Sequence, residues 1–262
     1  TGVIAVVGIV YIILYFCHKP VSGEYRSEFA IGLLAILAGG HILMEDIPGV
    51  GKTTMAVSIS RALGLEYNRV QFTPDVLPSD ITGYSIYDRN SGEMNYQKGA
   101  ILCNLFLADE LNRATSRTQS ALLQAMEEGE VTVDNQTYAV PQPFIVIATQ
   151  NPTGAKGTQM LPDSQMDRFM LRLSMGYPSH SDEIEMIRRR QEGISADDVQ
   201  QVVSRDELMG LRKEVENVYI KDSMIDYIVS LCAKTREHPM IVQGGSPRAS
   251  LALTALSKAT AW

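Results

Sequence analysis

Along most of the chain, short apolar runs alternate with longer segments whose apolar positions recur every three or four residues. HILME (41–45), YNRVQFT (67–73), ILCNLFLADE (101–110) and FIVIATQ (144–150) read as strands. The last two are almost continuously apolar, as expected of strands covered on both faces of a parallel sheet. GEYRSEFAIGLLAILAGG (23–40) predicts an amphipathic helix closed by Gly39 and Gly40. TTMAVSISRALGL (53–65) and TSRTQSALLQAMEEG (115–129) predict further helices between the strands. The alternation specifies the α/β class, a three-layer core with helices around a parallel sheet.

Two stretches break the rhythm. YSIYDRNSGEMNYQKG (84–99), turning around Asn90-Ser91-Gly92, and VTVDNQTYAVP (131–141), turning at Asp134-Asn135, predict β-hairpins inserted into the core. Beyond Tyr177-Pro178 strands give way to helical patterns at 179–193, 195–203, 204–219, 222–238 and 246–261. Ser195 with Asp198, and Ser204 with Glu207, have the spacing of capping boxes. The expected organisation is an apolar segment over 1–20, an α/β core over 21–177 and a helical domain over 178–262. The chain opens on Thr1 and stops at Trp262 inside a helix-like run, the pattern of a fragment.

From Gly2 to Cys17 no charge interrupts the chain, a span just under the ~20 residues of a transmembrane helix. His18, Lys19 and Arg26 follow it, so residues 2–17 read as a candidate membrane anchor with the remainder on the cytoplasmic side. A buried core element is the competing reading. A net charge of −7 argues against a surface built to neutralise nucleic-acid phosphates. Three widely separated cysteines, Cys17, Cys103 and Cys232, fit a reducing compartment with no disulfide framework, and the histidines lack metal-ligand spacing.

The chemistry concentrates at EDIPGVGKTT (45–54), between the strand ending at Glu45 and the following helix. It departs from the strict phosphate-loop pattern G-x-x-x-x-G-K-[ST] by carrying Asp46 at the first glycine position. That position lies where the strand ends, away from the phosphates. Gly49 and Gly51 let the backbone N–H groups close around an anion at the helix N-terminus. Pro48, Gly49, Val50, Gly51, Lys52, Thr53 and Thr54 form the nucleotide-binding set. Lys52 reaches the β- and γ-phosphates, and the Thr53 hydroxyl ligates Mg²⁺. NLFLADE supplies what such a loop needs on a neighbouring strand: Asp109 for the metal and Glu110 to polarise the attacking water.

LADELNRATSRTQSALLQAMEEGEVTV, ATQNP, LPDSQMDRFMLRL and GGSPRASLAL together resemble the MoxR family of AAA+ ATPases, over nearly the whole chain from Val21. The resemblance implies an ATP-hydrolysing P-loop fold with Walker A and Walker B motifs, using Mg²⁺ and assembling as a homo-hexameric ring. It implies chaperone-like remodelling or maturation of protein complexes, with a von Willebrand A domain protein as partner. Asn151 matches the sensor-1 position, Arg168 the arginine finger directed at a neighbouring subunit, and Arg248 sensor 2. Ser246 as N-cap and Pro247 at the first helical position would present Arg248 on an exposed first turn. Arg113 is also a family position, without an assigned role. The hairpins match inserts that line a central pore or face a client.

The chain departs from the family in its apolar N-terminal segment, where family members have a polar helix ahead of VSGE, and in a lid that ends soon after Arg248. The alternative from another class is a nucleotide-gated scaffold at the membrane that hydrolyses poorly. The full set Glu110, Asn151, Arg168 and Arg248 argues against it, since a pure switch has no use for it.

Overall fold

The computed structural model describes residues 23–45, 49–151 and 160–262. Helix α1 (Gly23–Leu37) leads to strand β1 (Ile42–Glu45), and α2 (Lys52–Ala62) follows the glycine loop. Next come β2 (Tyr67–Gln71), α3 (Pro78–Thr82), β3 (Gly83–Tyr87), β4 (Met94–Lys98) and β5 (Leu105–Asp109). The α/β part continues through α4 (Ser116–Glu128), β6 (Glu130–Val133), β7 (Gln136–Ala139), β8 (Ile145–Gln150), α5 (Asp163–Met166) and β9 (Leu171–Leu173). After β9 the described elements are helical: α6 (His180–Gln191), α7 (Arg205–Glu216), α8 (Asp222–Glu237) and α9 (Pro247–Ala261).

One sheet orders its strands β2-β5-β8-β1-β9, with every neighbouring pair parallel. Successive side chains of a strand point to opposite faces, and here each face has its own apolar cluster. Ile42 and Met44, Leu105 and Leu107, Ile145 and Ile147 pack with α1 and α2. Leu43, Phe106, Ala108, Val146 and Ala148 pack with Leu122, Leu123, Ala125 and Met126 of α4. Cover on both sides is why β5 and β8 read as unbroken apolar runs. The edge strand β2 exposes Asn68, Arg69 and Gln71. Parallel neighbours cannot be joined by tight turns, so the chain crosses back over the sheet between them. The two expected hairpins are separate antiparallel ladders, β3–β4 and β6–β7, and Asp134 and Asn135 take left-handed conformations at the second turn.

Three details differ from expectation. Over residues 28–37 the helix α1 is buried on most of its surface rather than amphipathic. Its second side is covered by α7 and α9, and the Arg212 Nε of α7 donates to the Ile36 carbonyl at 2.9 Å. Its end is a Schellman turn, with Gly39 at φ 80° and Gly40 donating to the Ala35 carbonyl at 2.8 Å. The strand expected over 101–110 begins only at Leu105, because buried Asn104 ties the preceding turn to Glu66 and Pro143. The helix expected over 195–203 is a single 3₁₀ turn, Ala196–Asp198. Beyond it Val202 and Val203 donate to the Ala62 carbonyl at 2.8 and 3.1 Å, and Val199 and Val203 bury beside α2. The capping boxes at Ser195 and Ser204 both form.

Candidate active site

The glycine loop hangs from the C-terminal end of β1, and its described part begins at Gly49. Gly49 and Gly51 have φ of 89° and 92°, a region that costs an L side chain but not glycine. A Cβ added at either would meet nothing within 4 Å, so conformation rather than crowding demands glycine here. Gly51 is the N-cap of α2 and makes no side-chain cap, and an anion at the start of that helix would face its first N–H groups. Lys52 is the first residue of that helix. Val50, Lys52 and Thr53 are partly buried and Thr54 exposed. Pro48 and Asp46 lie outside the described residues, as does the apolar run at 2–17.

Because β8 stands between β1 and β5, the loop, the acids and Asn151 reach the same edge of the sheet. Ligands of open α/β sheets bind at that carboxyl edge, where strand order departs from chain order. Asp109 closes β5 with 14% of its side chain exposed, and its Oδ2 accepts from Arg69 of β2 at 2.6 Å. Glu110 follows in the left-handed region at φ 56° and ψ 44°, which turns the chain sharply into the 3₁₀ turn Leu111–Arg113. Its carboxylate pairs with Arg113 at 2.6 Å. Thr149 joins the two acids from below: its Oγ1 donates to Asp109 Oδ1 at 2.7 Å and accepts the Glu110 N–H at 2.8 Å. Asn151 follows β8 directly and is partly buried.

A second chain of polar contacts braces the end of β1. The buried Gln150 amide donates to Glu45, whose other carboxylate oxygen accepts from Arg172 at 2.8 Å. The cross-strand register sets Glu45 beside Gln150, so this pair follows from the sheet itself.

Arg168 and Arg248 converge on one carboxylate. Arg168 Nε donates to Glu127 Oε2 at 3.0 Å, while Arg248 Nη2 donates to Glu127 Oε1. Asp167 accepts from the Ser246 hydroxyl at 2.6 Å and lies 3.9 Å from the second Arg248 amine. As expected, Ser246 caps α9 and Pro247 begins it. The hydrogen bond from Arg168, with help from Arg248, holds the Glu127 carboxyl below its ordinary range.

Thus loop, acids and Asn151 gather at one end of the sheet, and the two arginines gather on Glu127. Thr149, Glu127, Arg69 and Arg172 take part without having been singled out in the sequence. Only Thr149 carried a signal there, a hydroxyl one residue before the end of a largely apolar strand. The donor set suits Mg²⁺ with a phosphate chain: a hydroxyl and a carboxylate as hard oxygen ligands, and a glycine loop at a helix N-terminus for the anion.

A glycine loop between strand and helix, facing acids across an interposed strand, defines a P-loop ATPase of the AAA class. The model of the ATPase family associated with various cellular activities (AAA) matches residues 41–171. YeaC of Bacillus subtilis, an uncharacterized protein, is 46% identical over 236 residues, covering 90% of this chain and 74% of YeaC. Chaperone MoxR1 of Mycobacterium tuberculosis is 37% identical over 238 residues, covering 87% of this chain but only 63% of MoxR1. The crystal structure of a protein designated an ATPase from Cytophaga hutchinsonii superposes with a TM-score of 0.84 at 36% identity, covering 99% of this chain and 79% of that one. The chain belongs to the MoxR family of AAA+ ATPases.

Proposed function

We propose that this protein hydrolyses ATP with Mg²⁺ in a homo-hexameric ring and uses the reaction to remodel or mature protein complexes. The observation that carries the reading is the strand order, which sets β8 between β1 and β5 and supports one shared site for loop, acids and Asn151. Gly49, Val50, Gly51, Lys52, Thr53 and Thr54, with Pro48, hold the phosphates; Thr53 and Asp109 hold the metal. Mg²⁺, when bound, would supply charge neutralisation for the phosphate chain. Glu110 takes the proton of the attacking water as its oxygen bonds to the γ-phosphorus and the bond to ADP breaks. Asn151 orients that water or the γ-phosphate. Arg168 reaches a neighbouring subunit's nucleotide, and Arg248 links the helical segment over 178–262 to the α/β core over 21–177.

MoxR1 is named a chaperone, which supports a chaperone-like role here. The partner proposed is a protein with a von Willebrand A domain, in the cytoplasm, without nucleic acid. Among the described residues no helix is long and apolar enough to cross a membrane.

The test is Mg²⁺-dependent ATP hydrolysis per subunit as protein concentration rises, with Glu110→Gln and Lys52→Ala alongside. Specific activity should climb with concentration, vanish in Glu110→Gln with ATP still bound, and lose binding altogether in Lys52→Ala. Bound ATP with turnover at background in the unmodified chain would favour a nucleotide-gated scaffold instead.

A further inference from the structure

We propose that Thr149 is a positioning residue for hydrolysis, setting Asp109 and Glu110 in a fixed relation through one buried hydroxyl. The inference rests on the reading of those two acids given above. Thr149 is 0% exposed. A hydroxyl has one proton to give and two lone pairs to receive with. Here the Glu110 N–H occupies a lone pair at 2.8 Å, so the single proton is directed to Asp109 Oδ1 at 2.7 Å. The direction of both bonds is therefore set by what each partner is able to do.

Two consequences follow for the acids. With Oδ1 turned to Thr149, the Asp109 carboxylate presents Oδ2 outward, where Arg69 meets it at 2.6 Å. A metal-ligating carboxylate held in this way has one oxygen fixed by a neighbour, so a cation or its water would meet the other, at the oxygen that Arg69 bonds here. Glu110, for its part, sits in a backbone region that costs a non-glycine residue energy. The bond from its N–H to Thr149 offsets that cost and fixes where its side chain leaves the chain. Burial excludes a replacement water, so removing the hydroxyl strands the N–H and the carboxylate oxygen together. The pairing of Ala108 with Ala148 places Thr149 at the height of Asp109 on the adjacent strand, so the contact is built into the sheet register.

Thr149→Val keeps the shape and removes the hydroxyl, while Thr149→Ser keeps the hydroxyl and removes a methyl. Two quantities are measured on the intact chain: kcat against Mg²⁺ concentration, and affinity for a fluorescent ATP analogue with and without Mg²⁺. In Thr149→Val, kcat should fall roughly 10–100-fold, as for other groups that orient metal ligands. The Mg²⁺ concentration for half-activation should rise, and the gain in nucleotide affinity caused by Mg²⁺ should shrink. Metal-free affinity should stay unchanged. Thr149→Ser should restore most of kcat and the Mg²⁺ response. Wild-type values in the valine variant, or equal losses in valine and serine, overturn the proposal. If Thr149→Val shows no cooperative melt, Thr149→Ala is compared with Thr149→Ser, and equal activity overturns it likewise. Asp109→Asn and Glu110→Gln separate the two levels of the reading. Stalled acid variants beside an active Thr149→Val refute the role of Thr149 alone, whereas active acid variants refute the site and this inference with it.

Discussion

His41 shows how a single residue couples the sheet to the helix layer. Its Nδ1 accepts the Val146 N–H at 3.0 Å, which leaves the proton on Nε2 to bond the Met126 carbonyl at 3.2 Å. The ring meets Phe144 edge-on, with centroids 5.7 Å apart. Desolvation on burial lowers its pKa to about 4, with Arg212 adding to the effect against the raising influence of the Met126 bond. The folded form therefore holds the imidazole neutral while the unfolded chain binds a proton below pH 6.5. Stability from this group is full above pH 6.5 and is lost as pH falls toward 4. Between pH 7 and pH 5 the loss should be about 2 kcal/mol. Denaturant unfolding of the wild type and of His41→Asn, which keeps an acceptor for Val146, should differ by that amount in pH dependence. Parallel curves would refute it.

At the scale of elements, the two inserted hairpins are joined to each other. Tyr96 of β4 and Tyr138 of β7 stack with ring centroids 3.8 Å apart and planes 12° from parallel. Tyr96 also donates its hydroxyl to the Thr82 carbonyl at the base of the first hairpin, and Tyr138 to Gln136 within the second. The hairpin β3–β4 exposes Tyr84, Ile86, Tyr87 and Met94, so its own two strands bury little. A two-stranded ribbon is marginal by itself and draws stability from what it packs against. A double-mutant cycle of Tyr96→Leu and Tyr138→Leu should return a coupling of about 0.5–1.5 kcal/mol in unfolding free energy. Additive effects would mean that the hairpins respond independently.

For the whole molecule, Arg168 and Arg248 meet on Glu127 from distant parts of the chain. Glu127 is exposed and sits in the last turn of α4, so this network lies at the surface rather than in either apolar cluster. An exposed ion pair contributes little to stability. Removing one arginine should therefore leave folding nearly intact and report on function. Arg168→Ala is expected to unfold at nearly the same denaturant concentration as the wild type. When mixed with intact chains, it should depress the turnover of its neighbours beyond simple dilution. Activity that falls only in proportion to the fraction of variant would place the arginine's effect within its own subunit.

Pattern alone determined the strand–loop–helix order, the hairpins, most helix starts and the nucleotide-binding motifs, because each depends on local backbone preference or on which face must be buried. Gly39, Ser204 with Glu207, and Asp134-Asn135 act within a few residues of themselves, so their roles were legible without a neighbour. What the sequence could not supply was who stands beside whom. The insertion of β8 between β1 and β5 follows from long-range pairing, and it alone brings Thr149 to Asp109 and Glu110. Val199 to Val203 read as a helix until the end of α2 offered a carbonyl and an apolar surface that an extended chain could use. The convergence of Arg168, Arg248 and Glu127 joins residues as many as 121 positions apart, a distance that only tertiary packing closes.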